Sequence, residues 1–203
     1  LRVLPKGAQA DLSFDWFFSH ILAHELTHGI GPHTVYVNGS ESSPRLQLKE
    51  LYSAIEEAKA DICGLYMLQY MIDRKMLPGK GNGAGDAAKL YTTFLASSFR
   101  TLRFGVNEAH GRGMALQFNY LLDKGAFVMN SDGTYAVVPN KIAGAVRDLA
   151  HDLLTIEATG DYQGAKQMLD TMAVMRPAMK QTLDKLQDLP VDINPQHVTA
   201  ASL

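Results

Sequence analysis

The sequence predicts a mainly α-helical fold with one small β-hairpin near 126–138, and three observations carry that prediction. Apolar residues recur every three or four positions through most of the chain. Gly and Pro clusters interrupt the periodicity at intervals suited to helices. Residues 127–138 alone surround an Asp-Gly pair in the manner of a hairpin. With 203 residues, 46% hydrophobic and 20% charged, the chain suits an ordinary globular protein, read as a single mostly helical domain over 1–203.

From 13 to 28 the positions Phe14, Phe17, Phe18, Ile21, Leu22 and Leu26 keep helical spacing, and Gly29, Gly31 and Pro32 stop it. Residues 35–44 contain Asn38-Gly39-Ser40 and Ser42-Ser43-Pro44, turn formers that predict a loop. Leu48, Leu51, Tyr52, Ile55, Ile62, Leu65, Tyr66 and Met71 then mark a long helix that ends by Leu77-Pro78-Gly79. It is too long and too apolar to lie wholly on the surface. The glycine-rich run 79–85 has no strand before it and lacks the Gly-Lys-Ser/Thr of a phosphate-binding loop, so it reads as a flexible connection. Helices are predicted over 86–104 and 112–123, with Glu108-Ala109-His110-Gly111-Arg112-Gly113 between them. After the hairpin, helical patterning returns over 141–159, 162–174 and 177–186, before a Pro-containing tail.

A formal net charge of -2, from 19 basic and 21 acidic residues, provides no cationic field for nucleic acid or an anionic membrane. Cys63 is the single cysteine and cannot form an internal disulfide. No apolar run approaches the ~18 residues of a membrane span. The expectation is a cytoplasmic protein with neither a nucleic-acid nor a membrane partner. The sequence begins at Leu1 without a secretory signal, which predicts a piece of a longer chain.

The chemistry concentrates in His24-Glu25-Leu26-Thr27-His28. Residues four apart share a helix face, so His24 and His28 can direct imidazole nitrogens at one cation, with Glu25 beside them. That is the zincin arrangement. A catalytic zinc takes three protein ligands and keeps one position open, so a third ligand has to come from elsewhere. The extended metzincin signature fails, because His33 stands five residues beyond His28 rather than six. The candidate is Glu57, in Glu56-Glu57-Ala58-Lys59-Ala60-Asp61. Asp61, four residues on, can accept the remaining N–H of a ligand histidine. Taken alone, this acidic segment would be a solvated helix face. His20, one turn before His24, reads as a neighbour or core histidine.

Together the two segments resemble the dipeptidyl peptidase III family of zinc exopeptidases, which pairs a histidine-glutamate zinc helix with a Glu-Glu-Cys-Arg-Ala-Glu/Asp motif. The resemblance implies that His24, His28 and Glu57 bind Zn2+, that Glu25 is the general base, and that Glu56 and Asp61 support the ligands. Glu108-Ala109-His110 resembles a downstream Ala-His segment whose histidine stabilises the transition state. Better-known members have His-Glu-Leu-Leu-Gly-His, one residue longer than the motif here, so this chain looks closer to a bacterial branch. Motifs of the family span roughly 14–123. Its members are longer and two-lobed, which implies that this chain is the helical, zinc-bearing lobe.

The function implied is hydrolysis of a peptide substrate, with zinc and Glu25 activating water and His110 steadying the oxyanion. Arg112 has two readings, a contact to a substrate carboxylate or a solvated cation. Two alternatives belong to other classes: a noncatalytic zinc-containing scaffold, and a zinc hydrolase of a non-peptide amide or ester. No Gly-x-Ser-x-Gly elbow offers a serine mechanism.

Overall fold

A computed structural model describes residues 2–77 and 83–190. Residues 79–82 of the glycine-rich run and the tail beyond 190 lie outside the described residues. The elements are α1 (Phe14–His28), β1 (Val35–Val37), β2 (Ser40–Ser42), α2 (Pro44–Leu48), α3 (Tyr52–Asp73), α4 (Ala84–Leu102), α5 (Ala109–Asp123), β3 (Phe127–Met129), β4 (Tyr135–Val137), α6 (Pro139–Thr159), α7 (Tyr162–Met172) and α8 (Pro177–Asp184). The fold is mainly helical with two separate antiparallel hairpins. Among the described residues, no helix is long and apolar enough to cross a membrane.

Helix α1 starts where the Ser13 hydroxyl accepts the Trp16 N–H at 3.3 Å, capping one otherwise unpaired donor. The apolar stripe that marks this helix in the sequence is not the face it buries. Trp16, His20, Ala23 and Thr27 point inward, whereas Phe14, Phe18, Leu22 and Leu26 are more than half exposed. The 3.6-residue period identifies the helix correctly, but hydrophobicity alone cannot tell the inner side from an apolar outer one.

Residues 35–44 are a hairpin rather than the predicted loop, with Val35 paired to Ser42 and Val37 to Ser40. Asn38 and Gly39 both have positive φ, 53° and 79°, as a two-residue hairpin turn requires. The Asn-Gly signal was present, but the strands are three residues each and too short to show alternation. The predicted hairpin near 126–138 forms as β3–β4, with Phe127 opposite Val137. Its Phe127 and Tyr135 enter an aromatic cluster with Phe99 and Phe118.

Helix α3 runs through the core between α1, α5 and α6. Ile55, Ala58, Ile62 and Leu65 are fully buried along it. The helix predicted from 48 is divided: α2 ends at Leu48, a 3₁₀ turn spans Lys49–Leu51, and α3 begins at Tyr52. Two glycines set how closely its neighbours approach. A Cβ on Gly64 would lie 3.1 Å from the His24 backbone nitrogen. One on Gly113 of α5 would lie 3.1 Å from Ala54 O and Ala58 N and 3.3 Å from Glu57 Cβ. The absence of these side chains brings α1 and α5 against α3 at the level of its acidic segment.

Candidate metal centre

Three helices each bring side chains to one place. From α1, His24 and His28 stand one turn apart with ring planes crossed at 89° and centroids 4.5 Å apart. From α3 come Glu56, Glu57 and Asp61, and from the first turn of α5 comes His110. The sequence placed His110 in a connection; α5 begins at Ala109 and includes it. Gly111 follows because a Cβ there would collide with the carbonyl oxygen of Gly105.

The two histidines are held from behind. His24 Nδ1 lies 2.8 Å from Asp61 Oδ1, and the other Asp61 oxygen accepts from Gln117 Nε2 at 2.9 Å. His28 Nδ1 bonds to Glu56 Oε2. An ionised carboxylate only accepts, so both Nδ1 atoms carry the proton and both Nε2 atoms face inward. Those Nε2 atoms are 2.9 Å apart, and they lie 3.4 Å and 4.0 Å from Glu57 Oε2. Among the described residues, these three form the group whose donor atoms lie within 4.8 Å of one another.

Glu57 Oε2 is buried without a hydrogen bond. Two imidazole nitrogens and a carboxylate oxygen therefore converge on a space that needs positive charge. In the protein alone that charge is a proton on His24. Burial opposes it, but the hydrogen bond to Asp61 and the negative charges of Asp61 and Glu57 outweigh burial and lift the imidazolium pKa to about 10. At 3.4 Å the contact of His24 to Glu57 is an ion pair rather than a well-formed hydrogen bond. Burial alone would raise Glu57 and Asp61, yet both carboxyls sit below their usual range. Glu57 is held there by His24, His110 and His28, and Asp61 by His24, His20 and Gln117. A cation with three protein ligands would replace the His24 proton.

His20 is buried, bonds through Nε2 to the Asp61 carbonyl oxygen at 2.9 Å, and has its pKa lowered mainly by burial. It braces Asp61 rather than facing the cluster. His110 Nε2 lies 3.3 Å from Glu57 Oε2 with its side chain 70% exposed. Glu25, next to His24 on α1, is also exposed, and the cluster is open where His110 reaches it. Arg112 is half-buried on α5 and joins none of the ion pairs among the described residues. A cavity of about 110 Å³ runs from His24, Asp61 and His110 past Phe94 to Arg100. Larger depressions of about 720 and 550 Å³ lie elsewhere and include no residue of the cluster.

Sequence reasoning missed Gly64, Gly113, Gln117 and Lys59. Gln117 lies seven residues after His110 on the same helix face, which was the one available signal. Lys59 looked like part of a solvated face, but Glu56 and Lys59 are buried.

Two histidines of one helix and a glutamate of a second, with one ligand-type atom each turned to a common point, form a donor set of the class that can hold a divalent metal ion. The comparisons are more particular. The chain is similar to the structure of dipeptidyl-peptidase III from Corallococcus sp. strain EGB, with TM-score 0.91 and 48% identity, covering 98% of this chain and 36% of that one. It is similar to dipeptidyl peptidase III from Caldithrix abyssi, with TM-score 0.92 and 42% identity, covering 99% of this chain and 38% of that one. A protein of Arabidopsis thaliana named Nudix hydrolase 3 is 44% identical over 203 residues, 98% of this chain and 26% of that protein. No family model matches. The chain is thus dipeptidyl peptidase III-like in sequence and fold over nearly all its length, well beyond the motif-bearing 14–123. It spans about a quarter of the plant relative and just over a third of the two structures.

Proposed function

We propose that this chain is the zinc-binding part of a dipeptidyl peptidase III-like metallopeptidase. One observation carries the reading: two imidazole nitrogens whose far sides are protonated converge with Glu57 Oε2, which is buried without a hydrogen bond. Zinc bonds of about 2.0–2.2 Å in a tetrahedron place ligand atoms about 3.3 Å apart. The separations of 2.9, 3.4 and 4.0 Å bracket that value, and the residues fit the ion.

Bound there, zinc supplies a Lewis acid for the scissile carbonyl and for water. Glu25, exposed beside the ligands, takes the proton from water and delivers it to the leaving amine. His110, on the open side, donates to the oxyanion. Asp61 and Glu56 keep both ligand rings in the tautomer that offers Nε2. The substrate is a peptide, and the setting is cytoplasmic. The chain acts as one lobe of a longer protein. The plant relative carries a different hydrolase name; the donor cluster within the matched segment favours the peptidase reading over it.

The test is metal analysis of the full-length protein together with Glu25→Gln. That variant should keep zinc and lose about 10²–10⁴-fold in peptide cleavage. Undiminished cleavage by Glu25→Gln would refute the assignment. Zinc without peptide cleavage by the unaltered protein would favour a scaffold or a non-peptide amide or ester hydrolase.

A further inference from the structure

The two ligand histidines are braced by different devices. Behind His24 stand Asp61 and the neutral amide of Gln117. Behind His28 stands Glu56, and behind Glu56 a buried cation. Lys59 is 2% exposed, and its ammonium has three donors. All three are used: on Glu56 Oε1 at 2.7 Å, Thr27 O at 2.9 Å and Ile30 O at 2.9 Å. The last two are carbonyls at the end of α1, where a cation also meets the negative end of the helix dipole. Glu56 thus divides its oxygens, one to Lys59 and one to His28 Nδ1.

We propose that Lys59 is a positioning residue for zinc binding, setting the orientation of the His28 ring through Glu56 while clamping the end of the ligand helix to α3. The inference rests on the zinc reading above. His28 needs such support more than His24, since its side chain is 31% exposed against 13%. Without the ammonium, Glu56 has no fixed rotamer, and the ring it holds is free to turn. The three-acceptor arrangement also explains why a residue inside an acidic, polar-looking segment is buried: an unpaired ammonium there would be prohibitive, and a fully paired one is not. A second buried carboxyl, Glu157 of α6, is not among the hydrogen-bonded partners of the Lys59 ammonium, whose three donors are already placed, and burial pushes its pKa up to about 7.

The test is a double-mutant cycle on the full-length protein, with Lys59→Met, Glu56→Gln and the pair combined. Zinc affinity is read by chelator competition, and the ligand field by the visible spectrum of the Co2+-loaded protein. Lys59→Met should weaken zinc binding about 10–100-fold and alter the cobalt spectrum. In the Glu56→Gln background the same substitution should change zinc affinity by less than about twofold, because the route to His28 is already cut. Should Lys59→Met alone fail to fold, Lys59→Arg takes its place: it keeps the charge but moves the donors that hold Glu56, so it should still weaken zinc binding and alter the cobalt spectrum. A purely structural lysine predicts lower stability in urea with unchanged zinc affinity and an unchanged cobalt spectrum in the folded protein. That result, or an equal loss of affinity in both backgrounds, overturns the inference. If the unaltered protein takes up no zinc at His24 and His28, the zinc reading itself fails, which is seen before any variant is made.

Discussion

Raising the pH from 7 to 9 should tighten zinc binding, because His24 has to surrender a proton to become a ligand. Its Nδ1 proton stays on the hydrogen bond to Asp61 at 2.8 Å, so the proton that leaves is the one on Nε2. With the pKa lifted to about 10, three units above pH 7, removing that proton costs about 4 kcal/mol at pH 7, at about 1.36 kcal/mol per unit. The cost falls by one such step for each unit of pH, so affinity should rise about tenfold per unit across this range. Chelator competition at pH 7, 8 and 9 measures the slope. Calorimetry in two buffers of different ionisation enthalpy should count about one proton released per Zn2+ at pH 7.5. A flat affinity with no proton release would refute the site geometry. The same groups fix the stability of the zinc-free protein. The raised His24 adds stability that is fully present below its ordinary 6.5 and lost as pH climbs through about 10. The depressed Asp61 adds stability present above its ordinary 3.8 and lost as pH falls through its lower folded value. This pair therefore favours the zinc-free fold most between about pH 4 and 6.5.

Other perturbations test the frame around the site. Asp61→Ala leaves His24 Nδ1 and Gln117 Nε2 without their acceptor, which should cost about 1–3 kcal/mol for each buried donor and weaken zinc binding about 10–100-fold; urea denaturation and chelator competition read the two effects. Gly64→Leu should destabilise by about 1–3 kcal/mol, since even a Cβ meets backbone atoms of Ala23 and His24 at 3.1–3.2 Å; a lowered melting temperature is the readout. Ile62→Ala opens a void in a fully buried stretch of α3 and should cost about 2–5 kcal/mol, followed through the fluorescence of Trp16, the single tryptophan.

Much of the helical skeleton was legible because caps, turn residues and periodicity act within a few positions. Ser13 and Gly29 bracket α1, Asp132-Gly133 sits at the turn of β3–β4, and Gly160 with φ of 62° ends α6. What the local rules misjudged were short or two-faced elements. The three-residue strands β1 and β2 carry too little alternation to be seen, and α1 carries its apolar stripe outward. The spacing puts residues 108–113 between two helices, whereas α5 begins at Ala109, with Gly111 close to the Gly105 carbonyl and Gly113 against α3.

By itself, the sequence determined the ligand-type spacing. Four residues on an α-helix place His24 and His28 on one face, and the same interval relates Glu57 to Asp61, because helix geometry is local. Only the tertiary structure decided that these faces meet. That outcome depends on how near α1 and α5 come to α3, which Gly64 and Gly113 set by leaving no Cβ in the way. Close approach buries Glu56, Lys59 and Gln117, and burial obliges each polar atom to find a partner, which aligns both histidines. A spacing rule cannot supply that alignment, since it arises from pairs as many as 56 residues apart, such as Asp61 with Gln117.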